Sequence, residues 1–312
     1  MWGAATCRRL SFRKFKALAS QRTPKRSGLM PAITPSTNLL DRIQQHAREW
    51  RLTVEDSFET ETSIICFVNR AGQSLVLKLV KKEGDEWNAG AILTAFDGHG
   101  VVRVYERTGG AMLLERVQPA TSLADVALEG RDEEATEILA SVIATMSPHE
   151  APDGCPTIED WGKGFERYLF SNDRQISGHQ VESAAQVFAD LCASQSRPRL
   201  LHGDLHHYNI LSDAERGWLA IDPKGVIGEL EYEIGAMLRN PYQCPELFLS
   251  LPVIERRLKQ LTSQLSLNYE RTLRWAFAQA VLSATWNVED GSTVEATQAS
   301  LRLAGILENM LA

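Results

Sequence analysis

Long apolar runs are missing from this 312-residue chain. The longest charge-free stretch of that kind, Trp275 to Val288, is 14 residues, short of the roughly 20 that a membrane-spanning helix needs. Cysteine is sparse: Cys7, Cys66, Cys155, Cys192 and Cys244 are odd in number, scattered, and never spaced C-x-x-C. That pattern argues against a disulfide framework or a cysteine-based zinc site and for a reducing, cytoplasmic setting. Internal repeats and low-complexity tracts are absent. Acidic residues are absent from the first 30 positions, which carry eight basic ones, leaving 25 basic against 40 acidic residues beyond them. So acidic a body repels nucleic acid and favours cationic small molecules. The basic leader, residues 1–37, reads as a disordered tail or as sequence upstream of a start at Met30, in preference to a transit-like presequence.

What is present fits a soluble globular protein: 44% apolar and 23% charged residues, long enough for two domains or one bilobal domain. From about Asn38 to Val117 the signals are mostly strand-like. Ser63–Val68 and Ser74–Val80 are β-branched or apolar runs around a short Gly-containing turn, as in a hairpin. Glu83 to Phe96 carries Ala89, Ile92, Leu93 and Phe96 at helical spacing, and Val101–Tyr105 and Ala111–Val117 read as two more strands. From Ser122 onward helices dominate. Ala135, Ile138, Leu139, Val142, Ile143 and Met146 form one apolar stripe. Further helical patterns cover Val181–Ser194, Val253–Leu265, Glu270–Val288 and Val294–Leu311. The expected class is therefore α+β, with a smaller N-terminal lobe at 38–117 and a larger, mostly helical lobe at 118–312.

One strand-like interruption, residues 200–222, carries the chemistry. Asp204 and Asn209 form D-x-x-x-x-N, and Asp222 follows the apolar run Gly217–Ile221. A carboxylate, an amide and a second carboxylate across a hairpin suit a hard cation and phosphate oxygens. Each alone is an ordinary turn residue; the set, behind His202-Gly203, is not. Lys78 lies in a strand with apolar residues on both faces, so its ammonium needs an anion, and Glu86 is the best-placed one, ahead of Glu83 and Asp85. The bland alternative is an edge lysine reaching water. A zinc reading of His202, His206 and His207 competes for the same segment but leaves Lys78 and Asn209 unexplained.

H-G-D-L-H-H-Y-N-I-L at 202–211 followed by G-W-L-A-I-D-P-K-G at 217–225 resembles the aminoglycoside phosphotransferases, nearest to the streptomycin 6-kinase and hydroxyurea phosphotransferase branch. Leu113–Val117 (LLERV) resembles that branch's interlobe hinge, and Trp286–Gly291 (WNVEDG) is a further match. The resemblance runs from about Trp50 to the C-terminus. It implies a bilobal protein-kinase-like fold with ATP in the interlobe cleft. It further implies that Lys78 binds the nucleotide phosphates, Glu86 holds Lys78, and backbone near Glu115 and Val117 meets the adenine. Asp204 would be the base, Asn209 and Asp222 the Mg²⁺ ligands, and His202 a brace for the loop. Two departures stand out. No G-x-G-x-x-G lies between Asp56 and Val68, as is common in aminoglycoside kinases, and Asp222 is followed by Pro-Lys-Gly, which tells against a protein kinase.

Glu229, Glu231 and Glu233 after the hairpin, with Glu289 and Asp290 beside Trp286, are the candidates for holding a cationic acceptor such as streptomycin, because guanidino groups pair with carboxylates. The competing reading makes the three glutamates ordinary first-turn acids and Trp286 a core residue. Hydroxyurea, another small alcohol, or nucleotide binding without turnover remain as alternatives.

Overall fold

The computed structural model describes residues 37–146, 148 and 150–312; the basic leader lies outside them. Helix α1 (Thr37–Glu49) precedes three strands, β1 (Thr53–Glu59), β2 (Ser63–Arg70) and β3 (Gln73–Val80). A 3₁₀ turn at Asp85–Asn88 leads into α2 (Ala89–Ala95), and β4 (Val104–Thr108) and β5 (Ala111–Glu115) complete an antiparallel sheet in the order β1-β2-β3-β5-β4.

The two apolar faces of β3 now have a physical reason. Leu75, Leu77 and Leu79 point outward into a cluster with Ile64, Cys66, Val68 and Leu113, and Leu39, Ile43 and Trp50 from α1 and its end cover it. Burying such aliphatic side chains is worth about 1.5–3 kcal/mol each, so a sheet with two apolar faces needs this lid. The strand-like reading from Asn38 onward is therefore corrected for 37–49: Leu39 and Ile43 are four residues apart and Trp50, just past the helix end, follows seven later, all on one helical face. The single helix expected over Glu83–Phe96 is also divided. Trp87 is held against the Gly109-Gly110 turn, and the backbone tightens to 3₁₀ there before α2 begins.

The larger lobe starts with β6 (Pro119–Ser122), α3 (Leu123–Leu128) and α4 (Asp132–Thr145). Next come α5 (Ile158–Phe170) and α6 (Gly178–Ala193), then the short strands β7 (Arg199–Leu201), β8 (Ile210–Asp213), β9 (Gly217–Ala220) and β10 (Val226–Gly228). Helices α7 (Leu230–Leu238), α8 (Pro245–Phe248), α9 (Leu251–Leu265), α10 (Tyr269–Glu289) and α11 (Val294–Leu311) finish the chain. The charge-free run noted above is the body of α10, buried from Trp275 to Thr285. A helix apolar on all sides belongs at the centre of a bundle, and α5, α6, α7 and α11 surround this one. Among the described residues no helix is long and apolar enough to cross a membrane. Cys66, Cys155 and Cys192 are free thiols.

The strands β6, β8 and β9 pair beneath the smaller lobe, and the lobes touch where Gly225 meets α2. Gly225 has φ +78°, and a Cβ there would lie 2.4 Å from Ile92. Only glycine combines that backbone with that approach.

Candidate active site

Lys78 comes from the middle of β3 and is 4% exposed, which rules out the snorkelling edge lysine. Its Nζ lies 3.0 Å from Glu86 Oε2 and also contacts the Asp222 carboxylate. Burial alone would lower its pKa, but Asp222 and Glu86 outweigh it and raise the value. Glu86 is reached from the 3₁₀ turn rather than from a helix face, and accepts a further hydrogen bond from Ser63 Oγ at 3.2 Å. Desolvation opposes its ionisation; Lys78 then lowers its pKa below the usual range.

The 202–225 segment is held by its own backbone and by one buried histidine. Asp204 N–H donates to His202 Nδ1 (3.3 Å), so the proton sits on Nε2 and is donated to the Ile221 carbonyl (2.9 Å). Complete burial lowers the His202 pKa to about 4. Both ring nitrogens are thus committed to tying the Asp204 turn to the strand before Asp222. This removes the zinc reading, which needs that histidine as a ligand. Asn209 Nδ2 donates to the Asp204 carbonyl at 2.9 Å, leaving its amide oxygen as the available end. Asp222 has φ +63°, a left-handed conformation that non-glycine residues hold at the expense of about 1 kcal/mol or more and that concentrates at functional positions.

Two cavities meet at this segment. One, of about 270 Å³, lies under the sheet and is lined by Ile65, Val76, Val102, Met112, Leu114 and Ile221 among others, with Lys78, Asn209 and Asp222 at its polar end. Glu115 and Val117 line its far edge. The Glu115 side chain is directed onto the Arg216 guanidinium, which leaves its backbone for the cavity. The second cavity, of about 510 Å³, is lined by Asp204, Lys224, Arg239, Trp161, Trp286, Gln279 and a rim of Asp160, Arg167, Glu289 and Asp290. Burial would raise the Asp204 pKa, but His206, Lys224, Arg239 and His202 bring it down to about 2, so the group is ionised at neutral pH.

Of the expected acceptor residues, Glu289 and Asp290 reach the second cavity and the other three do not. Glu233 is buried and turned inward: its carboxylate accepts from Gly203 N–H at 3.1 and 3.3 Å. Burial pushes its pKa up to about 7 despite further backbone donors from His202 and Leu205. Glu229 is likewise buried, accepting from Arg271 and the Trp275 indole. Glu231 is half-buried and lines neither cavity. Trp286, half-buried, packs against the core as the competing reading had it and also lines the cavity, edge-on to Trp161 with ring centres 5.7 Å apart. Trp161, Lys224, Arg239 and Gln279 were missed. For Trp161 a signal existed: Thr157 and Asp160 form a capping box that opens α5, as T-x-x-D before an apolar-periodic run should.

A small antiparallel sheet with two short helices, a helical lobe, and a cleft holding a lysine–acid pair opposite an acid–amide–acid set define a phosphotransferase of the protein-kinase-like class. The crystal structure of aminoglycoside phosphotransferase APH(4)-Ia in a ternary complex with ADP and hygromycin B shares this fold. It superposes with a TM-score of 0.63, covering 86% of this chain and 98% of that one at 15% sequence identity. The sequence profile of the aminoglycoside/hydroxyurea antibiotic resistance kinases matches residues 49–291, and the chain belongs to that family. Streptomycin 3''-kinase of Klebsiella pneumoniae is 35% identical over 247 residues, 78% of this chain and 91% of the relative. Streptomycin 6-kinase of Streptomyces glaucescens is 28% identical over 278 residues, 84% of each. The chain is thus a small-molecule kinase of the antibiotic-inactivating kind, a phosphotransferase with an alcohol group as acceptor.

Proposed function

We propose that the protein transfers the γ-phosphoryl group of ATP to a hydroxyl of streptomycin or a similar guanidino aminoglycoside. One observation carries this reading: Lys78, Asn209 and Asp222 end the apolar cavity at the place where Asp204 begins the charged one. The nucleotide lies in the first, its adenine against the apolar walls and the backbone near Glu115 and Val117. Lys78 leaves Asp222 for the α- and β-phosphates while Glu86 keeps it oriented. The acceptor occupies the second cavity, its cationic groups toward Glu289 and Asp290. Asp204 accepts the hydroxyl proton as that oxygen bonds to the γ-phosphorus, and the bond to the bridging oxygen breaks, leaving ADP with its electron pair. Residues 38–117 act as the nucleotide lobe and 118–312 as the catalytic and acceptor lobe.

The all-oxygen pair formed by the Asp222 carboxylate and the Asn209 amide oxygen fits a hard divalent cation, and these residues would hold Mg²⁺. Its contribution when bound is to neutralise charge on the β- and γ-phosphate oxygens. The site of action is the cytoplasm, where ATP is available. The streptomycin kinases named above differ in the hydroxyl they are named for, so the support is for the acceptor class.

The test is incubation with Mg²⁺-ATP and, separately, streptomycin, kanamycin and hydroxyurea, with products weighed by mass spectrometry. A gain of one phosphate on streptomycin is expected. Phosphorylation of hydroxyurea alone, or of none of the three, would overturn the assignment.

A further inference from the structure

Arg239 feels the charge of Asp204 but makes no direct ion pair with it. It sits at the end of α7 beneath the charged cavity, only partly exposed, and loss of water around its guanidinium lowers its pKa. Its side chain donates from Nη1 to Gln279 Oε1 at 3.2 Å and, weakly, to the Gly235 carbonyl at 3.4 Å. Among the described residues no carboxylate comes within ion-pair distance of it. The same protein shows how an arginine is buried for stability. Arg257, wholly inaccessible, grips Asp132 through Nε at 3.0 Å and Nη2 at 2.5 Å and adds the Asn240 carbonyl at 2.8 Å. Arg271 has Glu229 and Arg216 has Glu115. A poorly solvated guanidinium without such a partner is unfavourable, and its remaining donors face a cavity.

Lys224 lines the same cavity, with Nζ 3.6 Å from Asp204 Oδ2. Lys224 thus meets Asp204 directly and Arg239 acts on it electrostatically, while the acids Asp160, Glu289 and Asp290, with Arg167, line the more exposed part of the same cavity. A polycationic acceptor would be repelled by two cations near Asp204 unless something anionic lay between. The group that passes this point carries that charge.

We propose that Arg239 and Lys224 form a phosphoryl cradle: they hold the oxygens of the phosphoryl group as it crosses from nucleotide to acceptor, and then of the phosphomonoester until it leaves. The proposal rests on the phosphoryl-transfer reading above. In that step the acceptor oxygen–phosphorus bond forms, the phosphorus–bridging-oxygen bond breaks with its electrons going to ADP, and the proton goes to Asp204; the two cations exchange no proton. Donors aimed at developing charge typically contribute about 10²–10³ in kcat each.

The experiment compares wild type, Arg239→Met, Arg239→Lys and Lys224→Met with streptomycin and ATP, and measures inhibition by inorganic phosphate in the presence of Mg²⁺-ADP. We expect kcat to fall about 100-fold in Arg239→Met with KM for ATP within about 3-fold, phosphate inhibition to weaken about 10-fold, and Arg239→Lys to recover part of both. Lys224 is 41% exposed, so Lys224→Met should fold normally and decides the matter if Arg239→Met does not. Wild-type kcat or undiminished phosphate inhibition in the folded variants would overturn the cradle. Asp204→Ala in parallel separates the two levels: if it keeps turnover, the phosphoryl-transfer reading fails; if it loses turnover while the cradle variants keep theirs, only the cradle fails.

Discussion

The two cavities that meet at Asp204 and Asp222 are built on opposite principles. Beneath the sheet, side chains from β2, β3, β5 and the β8–β9 hairpin make an apolar slot with polar groups at one end. Around Asp204, side chains from α5, α7 and α10 make a chamber lined mostly by charge and amide. The first belongs to the hydrophobic core of the fold; the second is assembled where the polar positions of several helices converge. On the proposed reading, the lesson is that the common cosubstrate would be recognised by structure the protein must build anyway. The particular acceptor, on the same reading, would be recognised by residues that could change without disturbing that structure.

Three measurements press on this division. The largest effect should come at the junction itself. Asp204→Ala is expected to lower kcat by about 10³, within the range for loss of a general base, while ATP affinity measured by calorimetry stays within about 2-fold; a parallel loss of ATP binding would mean the cavities are not separable. Next comes the rim. Glu289 forms a two-pronged pair with Arg167 at 2.7 and 3.0 Å, both about half exposed. Glu289→Gln should raise KM for streptomycin about 10-fold, roughly one charge-assisted contact, and leave KM for ATP unaltered. The smallest effect concerns support from below. Glu233 has its folded pKa raised to about 7, above its unfolded value, so its contribution to stability is complete at low pH and fades as pH rises through 7. The melting temperature of Glu233→Gln should therefore change less between pH 6 and pH 8 than that of wild type; an equal change would assign the dependence to another group.

Legibility followed the same division. The segment 202–225 could be read because its residues are contiguous and their spacing is demanded by the chemistry. Lys78 could be read because an ammonium in an apolar strand stands out. What the apolar pattern hid was the lid: Leu39 and Ile43 of α1 were taken with the strands that follow, although both faces of β3 being apolar already required a cover. The acceptor chamber was mostly illegible. Glu231 and Glu233 were singled out as a dense acidic run, yet one turn of helix sends Glu233 under Gly203 and leaves Glu231 at the side. Arg239 looks like an unremarkable helix end, and Lys224 like a spacer after Asp222. Convergence of α5, α7 and α10 on one point is a tertiary fact with no local signature, unlike a hairpin that carries its own geometry.

The contact between Gly225 and Ile92 works as a pivot stripped to its thinnest. With nothing but hydrogen on one bearing surface, the sheet lobe can rest directly on the loop that presents Asp222, and the lysine above reaches the carboxylate below. Thickening that bearing by a single methyl group would act as a shim behind a hinge: a fraction of an ångström added there would be magnified at the mouth of the cleft, parting Lys78 from Asp222 without altering either.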